Sequence, residues 1–362
     1  MLFDRYAEEY PEVRLFHLQR SGFAGTQRYS AFPWTGDVSR SWGGLQAQLP
    51  LLLTMSMSGL GYIHSDAGGF AQGVRDDELY TRWLQFAVFT PILRPHGSNH
   101  PSEPVFWNNQ TQDIVRRYMN LRYSLLPYNY SLAYKNSTEG TPLMQPMFYA
   151  FPNDSTTYSL QNQYMWGSSI MVAPVIEKGL KSLKIYLPEG IWFDMNRDNA
   201  YDGSQWIEYP LAIENIPVFI KAGSFIPFVA DTLSSTDYYK PNNFTVWYFP
   251  CGKTVYEQFE DDGLSNKSIQ NNQFELIHYE GETVGNLINV KISRNGSFAQ
   301  MPSKQQLTLA IPLLKMPQML MLNGKNVIKN SVIKSKQISY DGHWLRINLT
   351  LTDAQTEISI TQ

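Results

Sequence analysis

Residues 32–58 read FPWTGDVSRSWGGLQAQLPLLLTMSMS, and their pattern decides the fold of the first part of the chain. Phe32–Trp34 is a short apolar strand that stops at Thr35-Gly36-Asp37. From about Trp42 to Ser58, Leu45, Leu49, Leu52 and Leu53 recur at helical spacing. The same unit repeats on either side. Upstream, Leu15–Gln19 predicts a strand ending at Arg20 and Ser21. Downstream, Gly61–His64 predicts a buried strand ending in Ser65-Asp66, followed by the glycine-rich Ala67-Gly68-Gly69-Phe70. Asp76 or Asp77 caps the next helix, whose Leu79, Trp83, Phe86 and Ala87 mark a buried face. Thr90–Leu93 predicts a further strand, ending at Arg94-Pro95-His96, and a last helix spans about Gln110 to Tyr134. Alternating strands and helices predict a parallel sheet with covering helices. One connection fits poorly, because Gly22–Ala31 is short for a crossover helix.

Beyond residue 140 the texture changes. Ser168–Ala173, Lys184–Leu187, Ile216–Ile220 and Phe225–Pro227 are strands separated by Pro and Gly turns, with no competing helical period. Polarity rises after about Asp231, yet alternation persists in Phe244–Phe249, Gln306–Ile311 and Trp344–Leu351. The expected class is therefore α/β plus all-β, divided into residues 1–138, 139–230 and 231–362.

Composition narrows the function. With 29 Lys+Arg against 32 Asp+Glu the net charge is −3, so no long-range field favours a polyanion and nucleic acid is not an expected partner. The lone Cys251 excludes an intramolecular disulfide and a thiolate zinc site. The apolar stretch Leu49–Ile63 falls short of the ~18 residues a membrane span needs, so no membrane partner is expected. Aromatic residues make up 14% of the chain, which suits cores and also platforms for sugar rings.

Arg20, Asp37, Asp66 and His96 stand where successive strands end, the place where parallel α/β folds build their sites. Each has an ordinary reading as well: a turn aspartate, a structural ion pair, a packed loop histidine. Their recurrence at four strand ends is what makes them a constellation. Other chemistries lack their motifs. The histidines, His17, His64, His96, His100, His278 and His343, show no metal-binding spacing, and no cofactor is expected. No Walker loop and no G-x-S-x-G elbow occurs. Glu260-Asp261-Asp262 reads as a solvated turn, since calcium-loop spacing is absent.

The run Trp34-Thr35-Gly36-Asp37-Val38-Ser39 resembles the acid/base motif of glycoside hydrolase family 31. The resemblance extends in order through Gln19–Gly25, Ser65–Phe70, Arg94-Pro95-His96, Met165-Trp166-Gly167, Met171–Val175, Leu187–Asp194, Lys221–Pro227 and Phe259–Gly263. It weakens after about residue 290. Such a resemblance implies a retaining enzyme on a (β/α)8 barrel, with Asp37 as general acid/base and a second carboxylate about 5–5.5 Å away as nucleophile. It also implies that Arg20, Asp66 and His96 hold sugar hydroxyls while Trp34 and Phe70 form apolar walls.

The family's nucleophile lies in a W-x-D-M-N-E-P motif before the Arg-Ser segment, and none of the 19 residues preceding Arg20 matches it. Trp192-Phe193-Asp194-Met195-Asn196 imitates it, but Arg197-Asp198 replaces Glu-Pro, and Asp194 lies 157 residues after Asp37. No nucleophile is therefore expected in this chain. It is expected to be the C-terminal half of the barrel followed by two β-sandwich domains, inactive alone, with the N-terminal half of the same enzyme as its missing partner. The opening residues, Met1–Ser21, lack a signal peptide's apolar core and read as a start in mid-domain.

The leading expectation is an α-glucosidase that releases terminal glucose from malto-oligosaccharides or α-glucans. An oligosaccharide 4-α-glucosyltransferase is the alternative, since Trp34–Leu45 and Pro101-Ser102-Glu103-Pro104 are similar to bacterial transglucosidases. A non-catalytic carbohydrate-binding fragment or an inactive fragment is a further one. Family habit implies a secreted or periplasmic enzyme. Sequons at Asn109, Asn129, Asn136, Asn153, Asn243, Asn266, Asn295 and Asn348 matter only in a glycosylating host.

Overall fold

The computed structural model describes every residue except Asp198 and Asp353. The chain divides into two compact units. The first comprises Met1–Glu9, Leu15–Arg122 and Lys135–Lys221; the second comprises Tyr10–Arg14, Tyr123–Tyr134 and Ala222–Gln362.

In the first unit, helix α1 (Leu2–Glu9) precedes strand β1 (His17–Gln19), which pairs in parallel with β2 (Ala31–Pro33). Their connection is a single 3-10 turn, Thr26–Tyr29, which resolves the short crossover seen in the sequence. Helix α2 (Trp42–Met57) follows, capped by Ser41, whose hydroxyl accepts from Gly44 N at 3.0 Å. Its Leu45, Leu49 and Leu52 are fully buried, as their spacing predicts. Strand β3 (Asp66–Ala67) pairs in parallel with β4 (Arg94–Pro95), and a parallel bridge from Trp34 to His64 links the two pairs. Helix α3 (Asp77–Ala87) is capped by the Asp76 carboxylate, which accepts from Glu78 N and Leu79 N.

Three expectations are corrected here. Gly61–His64 is not a strand: the chain turns with Ile63 N on Leu60 O, and only His64 makes a bridge. Thr90–Leu93 is not one either. The carbonyls of Val88, Thr90 and Pro91 are taken by the Arg122 guanidinium at 2.6–2.8 Å, so no ladder forms until Arg94. The single helix expected over Gln110–Tyr134 is two, α4 (Asn109–Ser124) and α5 (Leu126–Glu139). Pro127 marks the break, because it lacks an N–H and is favoured in a helix's first turn over its interior.

The rest of the first unit is antiparallel. Strands β5 (Met144–Pro146), β6 (Tyr164–Trp166), β7 (Ile170–Val172), β8 (Ser182–Leu187), β9 (Ile191–Asp194), β10 (Ala200–Asp202), β11 (Gln205–Pro210) and β12 (Val218–Lys221) form two sheets. One has the order β10-β9-β12-β7-β6-β5 and the other is the pair β11-β8. Met165, Met171, Ile185, Leu187, Trp192, Tyr209 and Phe219, drawn from both sheets, share one buried core. A short helix, α6 (Met147–Ala150), interrupts the otherwise all-strand texture expected after residue 140.

The second unit holds a five-stranded and a seven-stranded sheet. Ser224–Val229, which composition placed before a boundary at 230, pairs with Asn243–Phe249 after it. Alternate residues point inward, as Leu345, Ile347, Leu349 and Leu351 do along Trp344–Leu351. Phe225 stacks on Tyr248 at 4.0 Å between centroids and meets Tyr279 of the other sheet at 5.4 Å. The solvated turn expected at Glu260-Asp261-Asp262 is corrected for its first two members, which are buried. Tyr239 and Gln258 donate to the Glu260 carboxyl, and Arg14, Ser268 and Tyr130 all reach the Asp261 carboxylate. Partners for both carboxyls are what make burial affordable.

Candidate active site

Register sets the first contact. Gln19 lies opposite Pro33 in the β1–β2 pair, so Arg20 and Trp34 leave the two strands side by side. Thr35 N then donates to His64 O at 3.0 Å, and Gly36 turns the chain at φ +82°. A Cβ at Gly36 would make only ordinary contact with the Arg20 guanidinium, at 3.6 Å, so it is the left-handed backbone that calls for glycine here. The result is that Arg20 Nη2 lies 3.6 Å from Asp37 Oδ1. Thr35 Oγ1 donates to Gln48 Oε1 at 2.6 Å, tying the strand end to α2. A cleft of about 720 Å³ opens here, lined by Arg20, Trp34, Asp37, Ser39, Gln48 and Leu51 among others.

The loops after β2, β3 and β4 are knitted together. Phe70 N and Ala71 N both donate to Val38 O, Arg40 N donates to Ala71 O, and Ser98 N donates to Phe70 O. The buried Arg40 guanidinium spans the same loops, donating to Phe70 O and Ser98 O at 3.2 Å each. Burial lowers its pKa. Phe70 and His96 meet ring to ring, 5.4 Å between centroids.

Asp66 sits within β3, not beyond a strand end as expected, and is fully buried. Arg94, its register partner on β4, donates to its Oδ1. Burial pushes the Asp66 carboxyl up to about 6; Arg94 and His96 oppose that rise and Asp37 adds to it. Beside it, burial and then the Arg94 charge hold the His64 imidazole down to about 4.

Five of the six candidate residues thus fall into couples: Arg20 with Asp37, Phe70 with His96, and Asp66 with the further residue Arg94. Trp34, the sixth, joins the last couple, since the Arg94 guanidinium stands 5.0 Å from its ring. Arg20, Trp34 and Asp37 line the cleft; Asp66, Phe70 and His96 are not among its walls. Arg40 and Arg94 escaped sequence reasoning. The available signal was their place inside the quoted motifs, an arginine three residues after Asp37 and another two before His96. Asp194 lies in the antiparallel sheet, its carboxyl buried and bonded by Asn196 N and Tyr209 OH. Burial raises its pKa. Among the described residues, no three His, Cys, Asp or Glu are grouped to hold a metal, and no helix is long and apolar enough to cross a membrane.

Parallel strands with polar side chains gathered after their ends, followed by antiparallel sheets, define the class: part of a TIM-barrel enzyme with appended C-terminal β-structure. Residues 1–132 match the glycosyl hydrolases family 31 TIM-barrel domain and residues 140–226 the glycosyl hydrolase family 31 C-terminal domain. The chain belongs to glycosyl hydrolase family 31. Among its relatives, an alpha-xylosidase of Saccharolobus solfataricus is 34% identical over 257 residues, 70% of this chain and 35% of the relative. Alpha-glucosidase 2 of Bacillus thermoamyloliquefaciens is 32% identical over 289 residues, 79% of this chain and 36% of the relative. A family 31 dextranase of Flavobacterium johnsoniae, solved with glucose, superposes with a TM-score of 0.92 at 28% identity, covering 99% of this chain and 47% of that one. The chain therefore spans about a third of the length of these curated relatives.

Proposed function

We propose that these 362 residues carry the acid/base side of a retaining α-glucosidase acting on terminal α-linked glucose of malto-oligosaccharides. The observation that carries this reading is the 3.6 Å approach of Arg20 to Asp37 at the wall of an open cleft. Asp37 protonates the glycosidic oxygen as the bond breaks and then takes a proton from water. Arg20, beside it, binds a sugar hydroxyl. Trp34 and Phe70 supply apolar walls, and Asp66 and His96 supply hydrogen bonds.

On this reading residues 1–138 are the C-terminal half of a (β/α)8 barrel, followed by two β-sandwich domains whose boundary falls before Ser224, since Ser224–Val229 pairs with Asn243–Phe249. The nucleophile comes from the barrel's other half, whose W-x-D-M-N-E-P motif these residues do not contain. That half is the partner, and the assembled enzyme works in an exported or periplasmic setting. A second substrate has an observation in its favour: the same Flavobacterium dextranase has been solved with isomaltotriose.

The test assays the chain alone and together with a polypeptide bearing the nucleophile motif, on an aryl α-glucoside, maltotriose and isomaltotriose. Turnover is expected only with both, and Asp37→Asn lowers it by about 10²-fold or more. Glucose as sole product supports hydrolysis, whereas longer chains from maltotriose make the enzyme a transglucosidase. Turnover by the chain alone, lost in Asp37→Asn, overturns the division of labour.

A further inference from the structure

Arg94, like Arg40, is a charged side chain at this site that the proposed roles leave unused. It is about one quarter exposed, at 23%, while the Asp66 side chain it bonds is at 0%. The pairing is set by the backbone, since β3 and β4 place Asp66 and Arg94 in register. From that anchor the guanidinium also lies over Trp34, 5.0 Å from the ring centroid. One guanidinium thus touches two of the six candidate residues. Asp66 Oδ2 makes no hydrogen bond.

We infer that Arg94 is a positioning residue, which keeps the buried Asp66 carboxylate charged and fixes the face of Trp34 before a sugar arrives. The inference rests on the reading of Asp66 and Trp34 as sugar-binding groups. Physical necessity supplies the argument. A carboxyl removed from water prefers its neutral form, and a neutral acid accepts hydrogen bonds far more weakly than an anion. The charged groups facing Asp66 are Arg94, His96 and Asp37, with His64 two residues before it on the same segment. Of these, Arg94 makes the charge-assisted bond to Asp66, and Asp37 acts against ionisation. Trp34 needs the same residue for another reason. A planar guanidinium packs flat on a ring, and an ammonium does not.

Carbon-13 carboxyl spectra of the full 362-residue chain test this directly, with Asp66→Asn assigning the resonance. In Arg94→Met the Asp66 midpoint is expected to rise by about one pH unit or more. Arg94→Lys should restore the midpoint but leave the Trp34 indole resonance displaced. A glucose titration followed by the same spectra adds a second signature. Arg94→Met should bind more weakly at pH 7, by about twofold or more, and recover at pH 9, where Asp66 ionises unaided. Should Arg94→Met not fold, Arg94→Gln carries the same expectations. An unmoved Asp66 midpoint in the folded variant overturns the inference, and so does a Lys variant with Trp34 undisturbed. Failure of the parent chain to bind glucose counts against the proposed function alone, because the Asp66 titration still decides the role of Arg94.

Discussion

Arg20 Nη2 approaches Asp37 Oδ1 to 3.6 Å while both side chains stay open, 64% and 46% exposed. An ion pair in that setting contributes at most about 1 kcal/mol to folding, because water screens it and two long side chains are ordered to make it. Function, not stability, is therefore where its loss is felt. Arg20→Met and Asp37→Asn are each expected to move the thermal midpoint by no more than about 4 °C. Differential scanning calorimetry on the two variants checks this. A larger drop would make the pair structural and remove the ground for reading Asp37 as a reacting group.

Glu260 presents the opposite case. Burial pushes its carboxyl up to about 8, with Glu275 and Asp261 adding to the rise and hydrogen bonds from Gln258 and Tyr239 opposing it. The folded chain therefore holds a proton that the unfolded chain releases near 4.5. By linkage, this group's contribution to stability is complete below about 4.5 and is lost as pH rises through about 8. Glu260→Gln keeps the shape without the titration. Denaturant midpoints at pH 5 and pH 8.5 should fall less in the variant than in the parent. Equal falls in the two proteins would show that Glu260 ionises as an ordinary carboxylate.

Why some of this was legible and some not comes down to range. Trp344–Leu351 agrees to the residue between sequence and structure because alternation on a half-buried strand is a local signal. Trp42–Met57 and the Asp76 cap were readable for the same reason. Gly61–His64 and Thr90–Leu93 misled because a short apolar run is buried in a turn as readily as in a strand. At Thr90–Leu93 what decides is Arg122, about thirty residues away, taking the carbonyls of Val88, Thr90 and Pro91. The burial of Glu260 and Asp261 likewise depends on Tyr239, Arg14 and Tyr130, none of them a neighbour in sequence. At the site, the strand-end positions of Arg20 and Asp37 could be read, and what Arg94 touches could not. Its partner Asp66 is set by sheet register, which no local pattern encodes.

Gly69 makes another long-range demand of this kind. It holds φ at +84°, and a Cβ there would stand 2.5 Å from Arg40 Cα. Arg40 cannot move aside cheaply, because its N donates to Ala71 O at 2.9 Å and its guanidinium is bonded to Phe70 O and Ser98 O. Gly69→Ala therefore meets both a left-handed backbone cost of about 1–2 kcal/mol and an overpacking cost of about 1–3 kcal/mol. Gly179 separates the two terms, since its φ is +70° and a Cβ would meet nothing within 4 Å. Gly179→Ala is expected to cost only the backbone part, about 1–2 kcal/mol. Urea unfolding of both variants measures the difference, and Gly69→Ala should be the worse by about 1 kcal/mol or more. Because the strain falls on the segment that carries Phe70, the Phe70–His96 ring contact at 5.4 Å should loosen in that variant and not in the other. Equal losses of stability would mean that Arg40 yields, and that the three loops are not held as one piece around Asp37.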